Sequence, residues 1–147
     1  MGTQWAPEYG RELWEQKNGA LEFQDMLHIA QTQIAREETL AMQSHHWLIC
    51  DTGPLTTLLY SQRMFDQTTP ELEQLATRHY DQVFLCADDF DFVQDGTRRD
   101  PAFRQFQQQW YERELNKRGI TYTVVRGSVA KRVEYIQQTL NPTSKYT

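Results

Sequence analysis

The chain has 147 residues, 39% of them hydrophobic and 12% aromatic, enough for one domain with a packed interior. Its formal net charge of −5 excludes duplex nucleic acid as a natural partner, because an acidic chain gains no counterion-release energy, and it argues against general adhesion to anionic lipid. No apolar run approaches the roughly 20 residues that span a bilayer. Cys50 and Cys86 each close an apolar run without CxxC spacing, so two small buried thiols are expected. With no signal peptide in view, they point to a reducing cytoplasm.

In chain order, Thr3–Ala6 reads as a short strand followed by a helix near Glu8–Gln16. Leu21–Gln43 is a clear helix: Phe23, Leu27, Ala30, Ile34 and Ala41 fall near helical spacing, and Gln, Glu and Arg occupy the other face. Trp47–Cys50 is apolar and ends in Asp51, as the most buried strand of a parallel sheet would. Pro54 opens a helix over Leu55–Phe65, and Thr69 caps another over Pro70–His79. Gln82–Cys86 predicts a strand, and Ala87–Arg99 is acidic and aromatic. Pro101–Lys117 predicts a long amphipathic helix stopped at Gly119. Ile120–Val125 predicts a strand. Val129, Val133, Ile136 and Leu140 mark the last helix, which Pro142 ends, leaving residues 141–147 as a frayed tail.

Strands alternating with helices predict a single α/β domain over residues 1–147, a parallel sheet with helices on both faces. Ligands bind such sheets at the carboxyl ends of the strands. Those ends here carry Glu8 to Arg11, Asp51-Thr52, Asp88 to Arg99 and Arg126-Gly127-Ser128.

Asp51 closes an apolar strand, the way a carboxylate is brought near Mg²⁺ in phosphoryl-transfer folds, although a cap for the following helix uses the same residue equally well. Glu8-Tyr9-Gly10-Arg11 groups an acid, an aromatic and a base at a strand-to-helix turn. Glu8 suits acceptance of a proton from a hydroxyl, Tyr9 stacking on a ring and Arg11 binding a phosphate, whereas a Glu favoured by the helix dipole explains the same pattern structurally. Between a strand and a helix, Asp95-Gly96-Thr97-Arg98-Arg99 has the make-up of a phosphate clamp on a mobile loop. Its arginines are equally suited to pairing with Asp88, Asp89 and Asp91. A calcium loop is excluded by Val93 at a ligand position and by the lack of a correctly spaced Glu. His45-His46 lack ligand spacing and read as surface residues.

Taken together and in order, PEYGRE, ICDTGPLTTLLYSQ, VQDGTRRDPAFR and RGITYTVVRGSVAKRVEYI resemble the ribosylnicotinamide kinase domain of NadR-type proteins and the wider group of small AAA-like ATPase domains. The resemblance runs from about Trp5 to Leu140, and its most specific part is the DT-x-x-x-TT strand end paired with a later V-x-DG-x-R loop. It implies a three-layer parallel sheet of P-loop nucleoside-kinase type. It also implies an enzyme that uses ATP and Mg²⁺ to phosphorylate the 5′-hydroxyl of nicotinamide riboside in NAD salvage. By that resemblance, Asp51 holds Mg²⁺ through water and Glu8 and Arg11 line the nucleoside site with Tyr9 and Thr52. Asp95, Arg98 and Arg99 belong to a lid over the phosphates. Gly127 and Ser128 hold adenine through backbone, supported by Arg132.

Three features depart from the family pattern. No G-x-x-x-x-G-K-[ST] occurs in these residues; in the family that loop, with its strand and helix, lies upstream of the point matching Trp5, so the domain is expected to be truncated at its N-terminus and inactive as it stands. Pro7 stands where NadR-type kinases carry a ring-stacking Trp. Gly53 stands where they often have a second acid. A non-catalytic nucleotide- or partner-binding module of the same fold is the alternative from a different class. A deoxynucleoside or nucleoside-monophosphate kinase is a weaker one. A homo-oligomer is left open.

Overall fold

A computed structural model describes residues 4–87 and 101–140. The chain divides into two compact units, Met1–His79 and Tyr80–Thr147.

In the first unit, β1 (Gln4–Ala6) leads into α1 (Tyr9–Gln16) and α2 (Phe23–Gln43), followed by β2 (Leu48–Cys50), α3 (Pro54–Phe65) and α4 (Pro70–Leu75). β1 and β2 run parallel, with Gln4 opposite Leu48, Trp5 opposite Ile49 and Ala6 opposite Cys50. α2 starts at a reciprocal capping box between Glu22 and Asp25. It packs against α1, α3, α4 and both strands. α3 has Pro54 in its first turn, and α4 is capped by the Thr69 hydroxyl accepting from the Leu72 N–H. The helix expected to reach His79 ends at Leu75, because the Thr77 and Arg78 amides close tighter turns onto Gln74 and Leu75. Met26, Ala30, Leu58, Leu59 and Leu72 are almost wholly buried, and each large side chain among them contributes about 1.5–3 kcal/mol.

Two expectations fail here in an informative way. The buried stripe of α2 is Met26, Ile29, Ala30, Gln33 and Glu37, rotated from the apolar spacing of Phe23, Leu27 and Ile34. Two polar residues thus lie on the core face, and both are hydrogen-bonded there: Gln33 donates to Glu37, and Arg78 Nε donates to Glu37 at 3.2 Å. Nor is β2 deeply buried. Trp5 and Ile49, opposite each other in register, are 60% and 41% exposed. Cys50 is accordingly half-buried and Cys86 exposed, rather than both buried.

In the second unit, β3 (Phe84–Cys86), α5 (Pro101–Lys117), β4 (Thr123–Val125) and α6 (Val129–Leu140) follow in order. β3 and β4 are parallel, with Phe84 opposite Thr123 and Cys86 opposite Val125. Leu85, Ala87, Phe103, Trp110, Leu115 and Val125 form the core. α5 ends as expected at Gly119, whose φ of +68° suits glycine. The Ile120 amide bonds back to Leu115 and the Gly119 amide to Asn116, closing a Schellman motif. α6 buries none of its residues, and Val129 and Val133 are exposed.

The polar node on α2 makes two testable claims. Glu37 is 1% exposed, so Arg78→Ala, which removes a cation from this buried carboxylate, should cost on the order of 3 kcal/mol in urea unfolding. Burial, reinforced by the Glu37 carboxylate that accepts its hydrogen bond, pushes the Cys50 thiol up to about 12. In the folded chain at mildly alkaline pH, a thiol-reactive probe should therefore label exposed Cys86 and spare Cys50 until denaturant is added.

Candidate functional site

The site is built from the carboxyl ends of β1 and β2. With Ala6 opposite Cys50, the parallel register delivers both chains to the same edge at the same level. The Asp51 amide continues the ladder by donating to the Ala6 carbonyl at 3.3 Å. Beyond that point β1 turns into α1 through Pro7 and Glu8, and β2 turns into α3 through Asp51, Thr52 and Gly53. Sequence reading put Glu8 and Asp51 at strand ends, and the fold makes those ends neighbours.

Glu8 is the N-cap residue of α1, yet its side chain makes no capping hydrogen bond. Its carboxyl is held above the ordinary carboxylate range, first by burial and then by the negative charge of Asp51, with Arg11 pulling the other way. Asp51 itself is exposed. Thr52 has φ +66°, a left-handed backbone in a β-branched residue, so the turn carrying Asp51 into α3 is strained.

The neighbours of Glu8 are engaged by α2. The Tyr9 amide donates to Gln33 Oε1 at 2.8 Å, and the Tyr9 hydroxyl lies 3.2 Å from His28 Nε2. The Arg36 guanidinium sits over the Tyr9 ring, 5.5 Å from its centroid. Arg11 pairs with Glu15 one turn along α1, at 2.9 Å. Gln33 and Arg36 were not singled out by sequence. The only signal was Gln33 recurring with Met26, Ala30 and Glu37 on one helical face.

In the second unit, the carboxyl ends of β3 and β4 are joined by Arg132, whose Nε donates to the Gly127 carbonyl at 2.8 Å and whose NH2 group donates to the Ala87 carbonyl at 3.1 Å. Gly127 has φ +90°. The Ser128 hydroxyl accepts from the Lys131 amide at 3.2 Å and so starts α6. Asp95, Arg98 and Arg99, assigned to a lid, lie outside the described residues, as does the tail 141–147.

Among the described residues no group of three or more His, Cys, Asp or Glu could hold a metal. A single exposed carboxylate such as Asp51 fits only a Mg²⁺ that keeps most of its waters. A groove of about 240 Å³ lined by Phe23, Gln24, Met26, Leu27, Thr69 and Leu72 shares no residue with this site. No helix among the described residues is long and apolar enough to cross a membrane.

Parallel strand pairs flanked by helices, the first with Glu8 and Asp51 following its strands, define an α/β protein arranged in a manner consistent with the P-loop NTPases. The chain belongs to the AAA domain family, whose model matches residues 1–132. That membership is consistent with nucleotide binding. No curated protein matches the chain.

The Glu8 environment gives a signed pH dependence. Folding raises this carboxyl above its unfolded value, so the folded chain binds that proton more tightly. The group's contribution to stability is fully present below the unfolded value and is lost as pH rises through the folded one. Glu8→Gln should therefore raise the melting temperature at about pH 7 and leave it nearly unchanged at about pH 3.5.

Proposed function

We propose that this chain is the nucleoside-binding part of an ATP-dependent phosphotransferase domain, with the 5′-hydroxyl of nicotinamide riboside as acceptor. The observation that carries this reading is the placement of Glu8 beside Asp51 at the carboxyl ends of adjacent parallel strands. A carboxylate whose proton affinity is raised by burial and by a neighbouring negative charge is a better acceptor for the proton of an attacking hydroxyl. Asp51 would hold Mg²⁺ through water, and the cation would supply charge neutralisation on the transferring phosphoryl group. The family resemblance would give Asp95, Arg98 and Arg99 a role on the transferring phosphates. Arg11, Tyr9 and Thr52 would line the nucleoside, and the Gly127-Ser128 loop, braced by Arg132, would take the adenine of ATP.

A second reading, a non-catalytic nucleotide- or partner-binding module, is favoured by one observation: these 147 residues contain no G-x-x-x-x-G-K-[ST], the motif whose backbone N–H groups and Lys cradle a triphosphate. Both readings place a nucleoside or nucleotide at the same strand ends, but only the first requires transfer.

A thermal-shift panel separates them. Nicotinamide riboside with Mg²⁺ should raise the melting temperature more than other nucleosides do, and Asp51→Asn should remove the Mg²⁺-dependent part of the shift. The 147-residue chain should by itself turn over ATP and nicotinamide riboside negligibly, measured as transfer of labelled phosphate. A shift with ATP but with no nucleoside would favour the binding module. No shift with any nucleoside or nucleotide would defeat the phosphotransferase reading.

A further inference from the structure

Gln33 is 3% exposed, and both ends of its amide are hydrogen-bonded. Its Oε1 accepts the Tyr9 N–H at 2.8 Å, and Nε2 donates to the Pro7 carbonyl at 3.3 Å and to Glu37 Oε2 at 3.4 Å. A backbone N–H and a backbone carbonyl at two ends of one amide fix which end is oxygen, so the side chain has a single orientation. The two groups it grips belong to the residues immediately before and after Glu8. Arg36, one turn further along α2, donates to the same Pro7 carbonyl at 3.2 Å. The buried polar face of α2 therefore holds the backbone on both sides of Glu8.

We propose that Gln33 is a positioning residue for Glu8: its amide clamps Pro7 and Tyr9 and so sets where the Glu8 carboxylate stands relative to Asp51. This inference rests on the reading of Glu8 as the group that meets the nucleoside hydroxyl. Burying a neutral amide on a core face is otherwise costly, and an apolar side chain of the same length would pack α2 more cheaply. Placing a reacting group matters because a misplacement of about 1 Å can cost about 100-fold in rate.

The test uses the full chain with Gln33→Met, which keeps the volume and removes the clamp, and Leu72→Ala as a control that destabilises the same unit without touching the turn. Arg36→Met, which removes the second donor to Pro7 from a partly exposed position, replaces Gln33→Met if that variant fails to fold. Two readouts are taken on folded protein. The first is the mobility of the Glu8 side chain from carbon relaxation of labelled protein. The second is the affinity for nicotinamide riboside with Mg²⁺. The expected result is a more mobile Glu8 and about tenfold weaker binding in Gln33→Met. Binding should weaken no further when Gln33→Met is added to Glu8→Gln, and Leu72→Ala should leave Glu8 mobility and affinity as they were. Glu8 mobility in Gln33→Met equal to that in Leu72→Ala would overturn the inference. If the unsubstituted chain binds no nicotinamide riboside, the phosphotransferase reading falls, and Glu8 mobility still decides whether Gln33 positions it.

Discussion

The parallel pairing of β1 with β2 is the constraint on which the site depends. Three residues of ladder on each strand, in the register that sets Ala6 against Cys50, bring Glu8 and Asp51 together from positions more than forty residues apart. A slip of one residue would turn Trp5 and Ile49 inward and aim the following turns elsewhere. So short a ladder has few hydrogen bonds of its own, and its register is held by α2, which packs on both strands and carries Gln33 and Glu37 to their ends. The polar residues of α2 are thus part of what fixes the strand pairing, as well as part of the core.

The same arrangement accounts for the electrostatics. Asp51 is exposed and Glu8 is mostly withdrawn from water, so the like-charge repulsion falls on the group least able to shed it into solvent. Nothing about the residue types alone separates Glu8 from Asp51. Their burial does.

Much of the chain was legible in its sequence. Each described helix and strand lies within a segment that apolar spacing, Pro54, Thr69 and Gly119 marked, although α4 stops short of His79 and β3 and β4 are shorter than expected, and the strands that pair are parallel, as alternation with helices implies. What could not be read was depth. Apolar Ile49 looked like the centre of a buried strand and is exposed, while polar Gln33 and Glu37 looked like solvent-facing residues and are buried. Pattern alone assigns burial by residue type, whereas here specific partners, the Tyr9 amide, the Pro7 carbonyl and Arg78, stabilise polar groups in the interior. The candidate site was legible as a set of strand ends. The contacts that bind Glu8 to α2 span more than twenty residues and leave no local trace.

Thr52 bears on how this turn is maintained. A threonine held at φ +66° sits where glycine would be comfortable, and glycine is the very next residue. Glycine at position 52 would relax the backbone, but it would also widen the range of directions in which Asp51 can point. A branched side chain in an unfavourable backbone basin acts as a stop: it narrows the excursions of the loop at the expense of overall robustness. Efforts to toughen this protein by easing its local backbone should therefore treat position 52 as a place where comfort and precision oppose each other.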